Sequence, residues 1–123
     1  MKWVLLAFGG MCGTFGRYLV SLWVHSRAGS AFPYGTLVVN MSGALMIGFL
    51  AALADRRSLL TPELRLFLIT GFLGAFTTFS ALVYESWQLA EAGRFFFAVS
   101  NMAGSLILGI AAFFAGVLLA GLV

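Results

Sequence analysis

Three groups of polar side chains in this chain fall inside otherwise apolar stretches, and they are the residues that could do chemistry. The first is the run 70–80, Thr-Gly-Phe-Leu-Gly-Ala-Phe-Thr-Thr-Phe-Ser, with Thr70, Thr77, Thr78 and Ser80. The second is Thr36 and Asn40; the third is Asn101 and Ser105. The members of each of these last two pairs are four residues apart, so each pair shares one helix face. All are hydroxyls or amides, and no carboxylate stands at their centre. Such donors can replace part of the water shell of a small anion, whose unaided loss costs tens of kcal/mol by Born estimates. Proton-coupled transport needs a titratable group at depth. Glu85 is the one candidate, and it lies near a helix end. A fixed, donor-lined path therefore fits passive flow of an anion. Phenylalanine adds to this chemistry, since its ring edge is electropositive and its face repels anions. Phe72, Phe76 and Phe79, at spacings of four and three, are expected on one side of a helix, in ordinary packing or along the path. Gly71 and Gly74 carry a further possibility. If the helix unwinds over 74–78, freed carbonyls become ligands for a cation, as at other broken helices.

The elements that hold these groups follow from composition. Of the 123 residues 62% are hydrophobic and only 9% charged, against roughly a quarter charged in soluble domains. The chain is therefore expected to be an all-α integral membrane protein. A span needs about 20 apolar residues, and four runs qualify, at about 3–24, 33–54, 62–89 and 94–121, together one transmembrane domain. In the first, Gly9, Gly13 and Gly16 let another backbone approach closely. Arg17 lies two-thirds of the way along it. It either snorkels to the nearer interface or stays buried, binding carbonyls or drawing anions into a vestibule. Asn40 likewise either bonds a neighbouring helix or lines a polar path. Ala44 and Gly48 continue its stripe. Thr61-Pro62-Glu63 starts the third span, with Thr61 as N-cap, Pro62 in the first turn and Glu63 favourable to the helix dipole. Residues 25–32 are expected as a loop that includes His25.

Several functions are excluded by what the sequence lacks. Cys12 is the single cysteine, so no intramolecular disulfide or cysteine-built metal cage forms; it reads as a small buried hydrophobe. One histidine and four scattered carboxylates argue against a catalytic triad or a protein-built metal site. The net charge of +3 sits near the ends of apolar runs, which suits lipid headgroups and orientation signals, not nucleic acid. The N-terminal run has no Ala-x-Ala-like cleavage site and is expected to remain as the first span. Lys2, Arg56, Arg57 and Arg65 fall on the side of the termini, Arg27 and Arg94 on the other, with Arg17 joining them if it snorkels. The positive-inside rule favours cytoplasmic termini only slightly. A protein this balanced can insert both ways, which leads to an antiparallel dimer. Four helices scarcely enclose a path alone, so an oligomer is expected on that ground too.

Three motifs carry a resemblance: Gly13-Thr14-Phe15-Gly16-Arg17-Tyr18, then Gly35-Thr36-Leu37-Val38-Val39-Asn40, then Gly71-Phe72-Leu73-Gly74-Ala75-Phe76-Thr77-Thr78-Phe79-Ser80. In these, and in the length and order of all four spans, the chain resembles the Fluc/CrcB fluoride channels. The resemblance implies a multi-pass protein of the plasma (inner) membrane, not an enzyme, that passively exports cytoplasmic fluoride. It implies a dual-topology antiparallel homodimer with two pores, the third helix broken mid-membrane. A central structural sodium ion would be held by backbone carbonyls at Gly74 and Thr77. Asn40 would be the pore-lining amide and Phe79 the ring whose edge faces fluoride. Thr36, Thr78, Ser80 and Ser105 would lie along the path, with Arg17 and Glu85 toward the vestibules. One departure stands out. The family pattern usually continues Thr-Phe-Ser-Thr-Phe, whereas here Thr78-Phe79-Ser80 is followed by Ala81-Leu82, so Leu82 takes the second phenylalanine position. Either one ring suffices, or a different partner subunit in a heterodimer restores the second, or conduction is impaired.

Two rival functions remain. A small multidrug exporter also has four spans and dual topology, but it needs a carboxylate in its first helix, and residues 3–24 contain none. A non-conducting structural subunit, or the partner subunit of a heteromeric channel, would use the same glycines and amides for packing alone.

Overall fold

A computed structural model describes residues 1–123 apart from the side chain of Arg57, so that one of the basic groups counted on the side of the termini lies outside the described residues. The chain runs as α1 (Lys2–Ala28), α2 (Tyr34–Arg57), α3 (62–76), α4 (Phe79–Glu91) and α5 (Phe95–Ala120). With α3 and α4 taken together as Pro62–Glu91, four helical stretches among the described residues are long and apolar enough to cross a membrane. The connections are short, and each has a local cause. Gly29, at φ 74° and ψ −171°, ends α1 in a conformation that a Cβ would forbid. Ser58 ends α2 in the left-handed region at φ 49°. Gly93, at φ 76°, makes the tight turn between α4 and α5.

Helix starts follow the sequence closely and helix ends less so. Thr61 is the N-cap of α3, its hydroxyl accepting from Leu64 N at 3.2 Å, with Pro62 next. α1, however, continues four residues past the expected end at 24, because nothing from His25 to Ala28 breaks a helix. His25 therefore occupies its last turn and is not a loop residue. Pro33 precedes α2 as its N-cap, and Cys12 is exposed on α1, not buried.

Little hydrophobic force drives helices together in lipid, so close packing of small residues has to do it. Glycines set the contacts here. A Cβ on Gly9 would collide with the Phe67 carbonyl oxygen and one on Gly13 with that of Phe72, so α1 lies directly against the backbone of α3. Gly48 and Gly116 do the same between α2 and α5, against the carbonyls of Phe113 and Leu45. Where α1 presses on it, α3 is wound wide: Leu66–Leu73 takes i→i+5 hydrogen bonding, a form that occurs mostly as short bulges, often at functional sites. Val39, Leu73 and Phe76 form the buried centre, with Val20, Met46 and Phe72 packed around it.

At one end of the bundle Arg65 Nη1 meets Asp55 Oδ1 at 2.8 Å, an exposed pair of the kind that adds little stability. At the other, Arg94 Nη1 donates to Ala31 O at 2.6 Å and its guanidinium lies 4.4 Å over the Phe97 ring. This ties the α4–α5 turn to the α1–α2 loop.

The glycine contacts make a direct prediction. Gly116→Ala should destabilise the fold by about 1–3 kcal/mol, the usual cost of overpacking, whereas Gly10→Ala, with nothing within 4 Å of the added carbon, should be neutral. Thermal unfolding in detergent measures both.

Candidate functional site

The site is built around two residues with extended backbone. Gly74–Phe76 is helical, as is Phe79 onward, but Thr77 has φ −79°, ψ 155° and Thr78 has φ −150°, ψ 119°. The departure is thus narrower than the 74–78 considered from sequence. Gly74 itself keeps helical dihedrals at φ −60°, ψ −35°. The two threonines stabilise the geometry in different ways. Thr77 closes α3 backward, its N–H and its hydroxyl both donating to Leu73 O at 3.0 Å. Thr78 opens α4 forward as its N-cap, its hydroxyl accepting from Ala81 N at 3.2 Å and lying 3.2 Å from Ser80 Oγ.

The peptide groups of this stretch still need partners, and Asn40 supplies them. Thr78 N–H donates to Asn40 Oδ1 at 2.8 Å, and Asn40 Nδ2 donates to Thr78 O at 2.9 Å. The side-chain amide acts as a surrogate peptide unit reaching across from α2. Of the two readings of Asn40, helix-to-helix bonding is realised. It leaves the other amide N–H uncommitted, because an Asn amide has two N–H groups, and Asn40 also borders two open clefts. In an unbroken helix Thr78 N–H would bond Gly74 O, four residues back. Its transfer to Asn40 relieves the Gly74 carbonyl of that donor. Gly74 and Thr77 both border the third of the clefts described next.

The polar residues singled out from sequence divide among these clefts. The first, about 440 Å³, is lined by Arg17, Tyr18, His25, Thr36, Thr78 and Glu85. In it Thr36 Oγ1 donates to Glu85 Oε1 at 2.7 Å. The second, about 730 Å³ and mostly apolar, brings together Asn40, Phe79, Leu82 and Ser105 with Met41 and Phe113. The Ser105 hydroxyl is buried there without a hydrogen-bond partner. The third, about 350 Å³, joins Gly74, Thr77, Thr78 and Asn40 to Phe79 and Leu82. Ser80 is exposed and linked through Thr78.

Two expectations need correction. Phe72, Phe76 and Phe79 do not share one side. Phe72 and Phe76 stack at 5.6 Å in the core, but the extended residues rotate Phe79 away, leaving it 72% exposed. Asn101 and Ser105 are both buried on one face of α5, yet Asn101 bonds Ser86 Oγ at 3.0 Å and serves packing. Sequence reasoning missed Ser86, whose only signal was a small polar residue one turn beyond Leu82. It also missed that Thr36 and Glu85 are partners.

Comparison with known proteins identifies the family. Residues 4–117 match the family described as CrcB-like protein, Camphor Resistance (CrcB). The chain belongs to that family. Among its relatives, a protein of Chlorobaculum tepidum is 48% identical over 99% of this chain and 97% of its own length. One from Rhizobium meliloti is 45% identical over 94% of this chain and 93% of its own. One from Chlorobium luteolum is 44% identical over 95% of this chain and 90% of its own. Each of the three is named fluoride-specific ion channel FluC. Kinship with channels and four membrane-crossing helices make this a multi-pass plasma-membrane protein and not an enzyme.

Asn40→Ala should leave the Thr78 N–H and C=O without partners. At 1–3 kcal/mol for each of the two orphaned groups, the loss is about 2–6 kcal/mol. Thermal unfolding should fall accordingly, and the Thr78 amide should exchange with solvent faster than its helical neighbours.

Proposed function

We propose that this chain is a passive, fluoride-selective channel. The observation that carries this is the gathering of hydroxyl and amide groups around the Thr77–Thr78 backbone, in a chain whose relatives are named fluoride channels. Thr36, Thr78, Ser80 and Ser105 supply hydroxyls along the path. Asn40 supplies its remaining N–H, and Phe79 its ring edge, which attracts an anion where the face would repel it. Fluoride is small and holds water tightly, so rigid, pre-aimed donors compensate its dehydration better than a flexible apolar pore. Arg17 draws anions toward the first cleft. Fluoride that enters a cell as uncharged hydrogen fluoride dissociates inside, and a passive pore lets the trapped anion leave down its electrochemical gradient.

A second copy of the chain completes the pore. Phe79 and the cleft beside it are open on one copy, and an antiparallel partner would cover them. The near balance of basic residues between the two sides supports insertion both ways. The Thr77–Thr78 stretch then lies at mid-membrane as the break of the third span. The relieved Gly74 carbonyl and the Thr77 carbonyl fit a sodium ion held at the centre of such a dimer. The ion would supply a fixed positive charge that anchors the two breaks. Lipid surrounds the assembly. Leu82 supports a variant of this reading. It is 7% exposed beside Phe79 and has no polarised edge, so a heterodimer with a ring-bearing partner is the alternative assembly.

Ion efflux from liposomes containing the purified protein tests the proposal. Rapid fluoride release with chloride retained is the expected outcome. Well-folded dimers that release no fluoride would overturn it for the homomer.

A further inference from the structure

The carboxylate of Glu85 lines the first cleft together with Thr36, Thr78 and Arg17. Thr36 lies one helical turn before Asn40 on the same face of α2, so its hydroxyl is in file with the donors around Thr78. A threonine hydroxyl has one proton to give, and here it goes to Glu85 Oε1 at 2.7 Å. The other carboxylate oxygen, Oε2, is buried with no hydrogen-bond partner. Nor is the charge paired: among the described residues the one ion pair within 4 Å is Arg65–Asp55. Arg17, Tyr18 and His25 from α1 and Tyr34 from α2 are the ionisable groups that share the cleft with Glu85. From α5 the neighbouring contact is neutral, Asn101 to Ser86.

We propose that the Thr36 hydroxyl is an anion seat held at rest by the protein's own carboxylate, Glu85, which a fluoride ion must displace. The inference rests on the fluoride-channel reading above. A carboxylate oxygen and a fluoride ion make the same demand on a hydroxyl, one short charge-assisted hydrogen bond, and two anions cannot share one proton donor. While Glu85 is ionised and seated, it both uses the donor and repels the incoming ion across a poorly screened cleft. Neutralising the carboxylate removes the repulsion and converts a competitor into a second donor. The seat then opens without any change in the fold, and Glu85 sets how readily the path admits its ion.

The test is fluoride efflux from proteoliposomes at neutral and mildly acidic pH, with protein-free vesicles subtracted at each pH. Wild-type flux should rise several-fold on acidification. Glu85→Gln, which keeps the shape and the acceptor for Thr36, should already show the high rate at neutral pH and lose the pH slope. His25→Asn should keep the slope. A Glu85→Gln protein with wild-type rate and slope would overturn the proposal, as would a slope that disappears with His25 alone. Infrared difference spectra of the wild-type protein give a readout that needs no variant. Added fluoride, but not chloride, should shift a carboxylate band, and a silent spectrum in a conducting protein counts against the displaced carboxylate. A wild-type protein that conducts no fluoride would instead remove the channel reading, and this inference with it.

Discussion

In hydrocarbon a peptide group without a partner costs several kcal/mol, so a chain can leave the helical path at membrane depth only if something else satisfies its backbone. The pair of hydrogen bonds between Asn40 and Thr78 satisfies the peptide groups where the third span leaves the helical path. Everything proposed for the path depends on it. The two bonds permit extended dihedrals at Thr77 and Thr78, release Gly74 O from its helical donor, and rotate Phe79 out of the core. A leucine at position 40 would fill the space but could neither donate nor accept. Valine would fail likewise, and aspartate would set a second oxygen against the Thr78 carbonyl.

That clamp works only because the helices around it are held at close range. Asn40 can reach Thr78 when α2 lies near the α3–α4 junction, and Gly43 allows that approach, since a Cβ there would collide with the Thr77 side chain. Gly9 and Gly13 fix α3 from the opposite side. The wide winding of 66–73 falls where α1 bears on α3, a few residues before the extended pair. Packing of small residues thus sets the bed, and side-chain amides and hydroxyls set the local chemistry. Thr77, Thr78, Asn40 and Ser86 are each committed to a backbone or neighbouring side-chain partner, which makes the donors rigid. Ser105 Oγ, Glu85 Oε2 and Asn101 Oδ1 are left without one.

Much of this was legible in the sequence, for reasons specific to membranes. Apolar runs reveal spans, and Asn40, Thr36 and Ser105 are conspicuous because polar residues in lipid are expensive. The Thr61–Pro62 start was readable as local capping chemistry. The end of α1 was not, because a helix can run past its apolar stretch when no glycine or proline stops it. Phe79 departs from the helical spacing for a geometric reason. The dihedrals of Thr77 and Thr78 are not helical, and two extended residues are enough to redirect every side chain that follows. The pairing of Thr36 with Glu85, 49 positions apart, leaves no local pattern at all. It depends on how two helices cross, and only the three-dimensional packing supplies that.

The proposed path gathers hydroxyl and amide donors for an anion around Thr78, so the decisive property is charge sign and ion size together. The most direct measurement is the reversal potential of currents through the purified protein in a planar bilayer, under opposed gradients of fluoride and chloride. The account predicts a potential that follows the fluoride gradient and ignores chloride and the accompanying cation. A potential that follows chloride or the cation, from protein that is folded and conducting, would contradict it.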